Sequence, residues 1–194
     1  MPGTDQTRSY SIASTPAQLP KIELLVRLLP GGVMSEWLLG RAAPDAVVEI
    51  AGPHGAFFLR EDEKAPHIMI AGGTGLAPMM AMIDQIRVRP GRKPKILLSF
   101  GCTNDDSLFH REALALRQHW LPSLQVQFSV DRGPASDGVR VGNPVEAVGR
   151  GGALDPASVA YLCGPPGMVE AARGHLERLG LAPENIFSER FLAS

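Results

Sequence analysis

The sequence predicts an α/β fold, with a doubly wound parallel sheet in its C-terminal part and a mainly β segment ahead of it. Three observations carry that expectation. From His67 onward nearly continuous apolar runs alternate with amphipathic segments, the rhythm of strand–helix units. The first run, at 68–71, passes directly into Gly72-Gly73-Thr74-Gly75, a bend suited to a strand-to-helix turn. Before residue 64 the apolar stretches are short, at 9–13, 22–29, 46–50 and 56–59, and proline or glycine separates them.

Taken in order, the first part reads as strands with one short helix between Ser35 and Gly40, the Ser35 hydroxyl capping the N–H of Trp37 or Leu38. The run Arg60-Glu61-Asp62-Glu63-Lys64 reads as a solvated linker before Pro66. It divides the chain into domains 1–64 and 65–194. Beyond it, strands are expected at 68–71, 96–100, 126–130 and 159–163, each a nearly continuous apolar run, which suits a parallel sheet buried on both faces. Helices are expected near 77–87, 108–119 and 168–179. Phe109, Ala113 and Leu116 share one face of the second, and Met168, Ala172 and Leu176 one face of the third. Gly180 suits a left-handed helix end and Pro183 blocks continuation. Met79, Met80 and Met82 read as core.

Composition narrows the function. A chain of 194 residues, 44% hydrophobic and 20% charged, builds a full core. With net charge −1, neither nucleic acid nor an anionic membrane is the expected partner. The two cysteines, Cys102 and Cys163, stand too far apart in sequence to suggest a disulfide framework or a metal site. His54 and His110 have no visible ligand partners, so no metal is assigned. No secretory signal or membrane span is read, and the cytoplasm is the default compartment.

The residues with chemistry gather at turns. At the glycine bend, backbone N–H groups at a helix start offer partial positive charge to a phosphate, and glycine lets the ligand approach. A second strand-to-helix turn, Cys163-Gly164-Pro165-Pro166-Gly167, can flank the same crevice. Arg8-Ser9-Tyr10-Ser11 sends Arg8 and Tyr10 to one strand face, where a guanidinium suits a phosphate and a phenol ring suits a flat heterocycle. Together these fit a dinucleotide with a planar redox ring. After the second strand, Asp105 and Asp106 stand where the adenosine ribose is met and repel a 2′-phosphate, favouring NADH over NADPH. The alternative is that Asp106 or Ser107 caps the helix from Leu108.

Read in order, Arg8-Ser9-Tyr10-Ser11, Gly31-Gly32-Val33-Met34-Ser35, Gly52-Pro53-His54-Gly55-Ala56-Phe57, Gly72-Gly73-Thr74-Gly75 with Pro78, Cys163-Gly164-Pro165-Pro166 and Glu189-Arg190-Phe191 form a set. The set resembles the ferredoxin–NADP reductase superfamily, and within it the reductase components of bacterial aromatic-ring dioxygenases such as those for benzoate or anthranilate. The resemblance implies hydride transfer from a nicotinamide nucleotide to FAD, then single electrons to an iron–sulfur ferredoxin or oxygenase component. It implies that Arg8, with Ser9 beside it, contacts the flavin pyrophosphate, that Tyr10 stacks on the isoalloxazine ring and that Ser11 reaches flavin N5. Gly32, Val33, Met34 and Ser35 would hold the pyrophosphate. Gly73, Thr74, Gly75 and Pro78, with Gly164 and Pro165, would face the nicotinamide nucleotide, Asp105 would meet its adenosine, and Cys163 would sit beside its ring. Glu189 and Phe191 would close the flavin side. The catalytic assignments are thus Ser11, Cys163 and Glu189.

The departure lies at the front. Members place several strands of an antiparallel flavin barrel before the arginine–tyrosine block, and only residues 1–7 precede it here. A partial barrel is therefore expected, with an open edge that invites a second copy and bears on FAD occupancy. The ferredoxin cysteine run is also missing, which leaves the cluster to a partner. The alternatives are a nicotinamide-nucleotide-binding fragment without turnover and an edge-completed assembly subunit.

Overall fold

The computed structural model describes residues 7–60, 65–150 and 153–191. After a 3₁₀ turn at Pro16–Gln18, its first α-helix is α1 (Val33–Gly40). Then β1 (His67–Gly72), α2 (Leu76–Val88), β2 (Ile96–Cys102), α3 (Arg111–Trp120), β3 (Leu124–Val130), β4 (Val139–Val141), β5 (Val159–Gly164), α4 (Pro166–Arg178) and β6 (Ile186–Arg190) follow. The six strands form one sheet in the order β4-β3-β2-β1-β5-β6, and every neighbouring pair is parallel.

That order follows from the crossovers. Helices α2 and α3 carry the chain from β1 outward to β3, and their buried residues, Met79, Met80, Met82, Ile83, Ile86 and Leu114, cover one face. The chain then returns to the other side of β1, and Val169, Ala172 and Leu176 of α4 cover the opposite face. Burying each such side chain stabilises the fold by about 1.5–3 kcal/mol. Strands β1 and β5 are buried at every position, as their unbroken apolar sequences require. Asp84 of α2 and Arg117 of α3 form a two-pronged ion pair at 2.6 and 3.1 Å that pins the outer helices together.

Four expectations need correcting. The first half forms no strands among its described residues. It shows one isolated antiparallel bridge, Ile12 to Leu24, beside a bond from the Ala13 N–H to the Glu23 carbonyl at 2.8 Å. Short segments broken by proline and glycine gain little from a single rung, and a lone hairpin is marginal in water. Second, Ser35 does not cap α1: Gly32 stands at the cap, and the Ser35 Oγ accepts the Leu29 N–H at 2.7 Å, tying the helix back to its approach segment. Third, α3 begins at Arg111, after a 3₁₀ turn at Asp105–Ser107 and a left-handed His110 with φ of 58°. Asn104 accepts the Ser107 N–H, so neither Asp106 nor Ser107 starts that helix, and its buried contact is Leu114 while Leu116 is exposed. Fourth, Arg60 is partly buried; residues 61–64, and with them the expected domain boundary, lie outside the described residues.

Strands β4 and β6 escape the sequence reading. β4 is three residues long, and β6, an edge strand, has two apolar residues followed by three polar ones, which reads as a loop. The turn into β2 gathers Arg87, Arg89, Arg92, Lys93 and Lys95, a basic concentration that the net charge conceals. Lys93 turns inward to cap the Ile86 and Arg89 carbonyls at the end of α2. Among the described residues no helix is long and apolar enough to cross a membrane.

The tightest backbone packing lies between the turns after β1 and β5. A Cβ on Gly75 would stand 2.1 Å from the Cys163 carbonyl oxygen, and one on Gly72 would meet Met168 Sδ at 2.7 Å. Gly75→Ala is therefore expected to destabilise the protein by about 1–3 kcal/mol, as overpacking does. The melting temperature should fall by about 5 °C in calorimetry. Gly167→Ala, in α4 with open space around it, is the control and should be neutral or stabilising. Equal melting temperatures for the two variants would contradict this packing.

Candidate active site

The strand order reverses at β1, whose neighbours β2 and β5 follow crossovers in opposite directions. A crevice opens at the carboxyl ends of strands at such a switch point. Both glycine turns lie there. The first divides its labour: Gly72 and Gly75 are buried against the second turn, while Gly73 and Thr74 are partly exposed. Gly73 has φ of 54°, a conformation that other residues rarely adopt, and open space where a side chain would be. No side chain caps the 3₁₀ turn Gly73–Gly75, α2 or α4; the Leu76 N–H is taken by the Gly73 and Thr74 carbonyls, and Pro165 and Pro166 bring no N–H to the start of α4. Pro78 is buried in the first turn of α2, and Pro165 is exposed at the start of α4.

Register then aligns three elements. Ala71 pairs with Cys163, and Cys163 with Glu189, which places a thiol and a carboxylate side by side on one face of the sheet. The Phe191 N–H donates to the Gly164 carbonyl at 3.0 Å and holds the chain beyond β6 against the second turn. From the first half, the Ser11 hydroxyl donates to Glu189 Oε2 at 2.5 Å, and the Cys163 thiol approaches the same oxygen at 3.8 Å. The three residues assigned catalytic roles thus meet at one atom. Burial, with the Glu189 charge beside it, pushes the Cys163 thiol well above its ordinary range, so it stays neutral.

Arg8, Ser9 and Tyr10 directly precede Ser11 in the chain. Tyr10 is partly buried, its hydroxyl held above the usual phenol range by desolvation against an opposing pull from the Arg8 charge, so the two lie close, as their spacing requires. The Arg8 guanidinium also donates to the Thr7 carbonyl at 2.8 Å. Ser9 is exposed, and Gly32, Val33 and Met34 are partly exposed at the start of α1.

Asp105 is committed. Its carboxylate accepts the Ser136 N–H at 3.1 Å and the Ser136 hydroxyl at 3.0 Å, bonds that hold it below the usual carboxylate range. Arg111 donates to Ser136 Oγ at 2.7 Å and to the Asp137 carbonyl at 3.1 Å, so the nearest cation is engaged by the same loop. One residue escapes the sequence reading here. Burial pushes the Cys102 thiol up to about 11, while the Gly73 N–H and the Arg27 charge pull it down. Arg27, from the first half, thus reaches the end of β2 beside the glycine turn. Nothing in its sequence context, an arginine among leucines, marks it.

Residues 69–174 match the oxidoreductase NAD-binding domain family, and residues 1–59 match the oxidoreductase FAD-binding domain. The chain is 38% identical to the toluate 1,2-dioxygenase electron transfer component of Pseudomonas putida, over 100% of this chain and 56% of that protein. It is 32% identical to the anthranilate 1,2-dioxygenase electron transfer component of Acinetobacter baylyi, with the same coverage. It therefore spans about half the length of the curated relatives it matches. Among solved structures, the cytochrome P450 reductase GcoB of Amycolatopsis superposes with a TM-score of 0.87 at 32% identity, covering 98% of this chain and 58% of that one. A ferredoxin NADP+ reductase from Neisseria gonorrhoeae, at 21% identity, shares the fold with a TM-score of 0.78 over 94% of this chain and 79% of that one. The chain belongs to the oxidoreductase NAD-binding domain family, with a ferredoxin–NADP reductase-like architecture and electron transfer components of aromatic-ring dioxygenases among its relatives.

Proposed function

We propose that this chain is the flavin- and nicotinamide-handling part of an NAD(P)H-dependent oxidoreductase that delivers electrons to an iron–sulfur partner of an oxygenase system. The observation that carries the reading is the meeting of Ser11 and Cys163 at one oxygen of Glu189, at the mouth of the switch-point crevice. The residues fit both cofactors. The open space at Gly73, where no side chain caps the turn, suits a nucleotide phosphate, and the start of α1 at Gly32, which no side chain caps, together with the Arg8 and Tyr10 pair, suits a flavin nucleotide. Domains 1–64 and 65–194 would then contribute one cofactor site each, the first as part of a flavin barrel begun by the Ile12 to Leu24 bridge.

Bound cofactors supply the hydride and single-electron chemistry, and the protein supplies orientation, electrostatics and exclusion of water. Tyr10 would cover the flat ring face while Arg8 neutralises phosphate. Cys163, kept as a neutral thiol, shapes the ring pocket without placing a charge beside it. Glu189 accepts the Ser11 hydroxyl bond, so that Oγ is oriented and a proton acceptor stands one bond behind it. The free thiols Cys102 and Cys163 suit a reducing cytoplasm.

A second reading, a dimer completed through the open first half, draws on the exposed Leu19, Leu28, Val47 and Ile50. Light scattering at high concentration should then give twice the chain mass; a strict monomer rules it out.

The main reading is tested by mixing the FAD-loaded protein with NADH under anaerobic conditions. The flavin absorbance should bleach, and Ser11→Ala should slow bleaching by about 10²-fold with nicotinamide affinity unchanged. A flavin band that NADH leaves intact would refute the oxidoreductase reading. For the nucleotide, the engaged Asp105 and Arg111 support a preference for NADH, so kcat/KM should favour NADH over NADPH by at least about tenfold. Parity between the two would remove Asp105 from the adenosine site.

A further inference from the structure

Arg60 stands at the end of the first half, in a run whose charge suggests a solvated linker, yet its guanidinium sits over two aromatic rings. Its Cζ is 4.2 Å from the centroid of Phe58 and 4.2 Å from that of Phe187. Its Nη2 donates to the Ala56 carbonyl at 3.2 Å, its buried Nε has no hydrogen-bond partner, and no carboxylate among the described residues pairs with it. The Arg60 backbone N–H donates to the hydroxyl of Tyr161, a wholly buried residue, at 3.0 Å. Tyr161 in turn stacks on Phe187, with ring centroids 5.9 Å apart and planes 28° apart.

These contacts form a clip across β5 and β6. Tyr161 pairs with Phe187, and two residues on along each strand Cys163 pairs with Glu189. Period-two geometry puts Phe187 and Glu189 on the same face, about 7 Å apart along the strand. β6 is an edge strand with β5 as its one neighbour, so pairing restrains it from one side alone. A cleft of about 380 Å³ lined by Arg60, Arg173, Phe187 and Glu189 among others adjoins β6.

We propose that Arg60 is a positioning residue that, through its stacked contact with Phe187 and its bond to Tyr161, holds β6 where Glu189 meets Ser11 and Cys163. Its consequence for catalysis rests on the oxidoreductase reading above, but the clip is a property of the chain and is tested without turnover. The two cysteines are internal reporters. Cys163 touches Glu189, whereas Cys102 sits on β2, away from the clip.

The experiment follows iodoacetamide labelling of each cysteine by peptide mass spectrometry across pH in the native protein, Arg60→Ala, Arg60→Lys and Glu189→Gln. In Arg60→Ala, Cys163 should label about tenfold faster while Cys102 stays within about twofold, the signature of local rather than global opening. Because the Glu189 charge holds the Cys163 thiol up, its withdrawal should also move the Cys163 labelling profile to lower pH, towards that of Glu189→Gln. Arg60→Lys keeps the charge and loses the planar face, so it should behave like Arg60→Ala, and it serves should the alanine variant fail to fold. Cys163 labelling that is unchanged, that rises in step with Cys102, or that accelerates without a shift in pH profile would overturn the proposal, as would a native profile for Arg60→Lys.

Discussion

The close approach of two backbone turns at the centre of the sheet is the constraint on which the other features depend. Strands β1 and β5 are neighbours, and Gly75 lies against the Cys163 carbonyl so closely that no side chain fits between them. A strand-to-helix turn normally needs room for its own side chains. Here both turns dispense with it, which brings two helix starts, α2 and α4, to one opening. It also fixes the Cys163 backbone, and the β5–β6 register then determines where Glu189 stands. Displacing Gly75 therefore displaces the carboxylate as well as the glycine turn.

The first half has no sheet of its own among the described residues, so its position is set by individual contacts with the second. Ser11 reaches Glu189, Arg60 reaches Tyr161, and the Arg27 charge reaches Cys102. The Ser11 and Arg27 side chains fall at the carboxyl ends of their partner strands, whereas Arg60 uses its backbone N–H. The meeting at Glu189 brings a hydroxyl, a thiol and a carboxylate together. It also explains a neutral thiol beside a carboxylate: burial and a like charge both disfavour the thiolate, leaving Glu189 as the ionisable group that the hydroxyl and thiol share.

The sequence makes the second half legible because its determinants are local. Unbroken apolar runs identify β1, β2 and β5, the glycine turns follow them, and α2 and α4 appear within two residues of where periodicity places them. The meeting of Ser11, Cys163 and Glu189 is legible only through resemblance, since nothing in their spacing announces that 178 residues of chain fold back to join the first to the last. What escapes does so for physical reasons. β6 carries the mixed pattern of an edge strand, and α3 starts late because Asn104 and Asp105 are engaged elsewhere. Arg60 looks solvated because its neighbours are charged, whereas its burial depends on Phe58 and on Phe187 from the far end of the chain.

The central claim, that the two turns face one nucleotide, is open to a direct test by titrating isotope-labelled protein with NAD+ and following backbone amide shifts. The account expects Gly73, Thr74, Cys163 and Gly164 to move together, with Asp105 following as the adenosine end engages and the basic turn at 89–95 remaining still. Shifts confined to one turn, or centred on the basic turn, would contradict it.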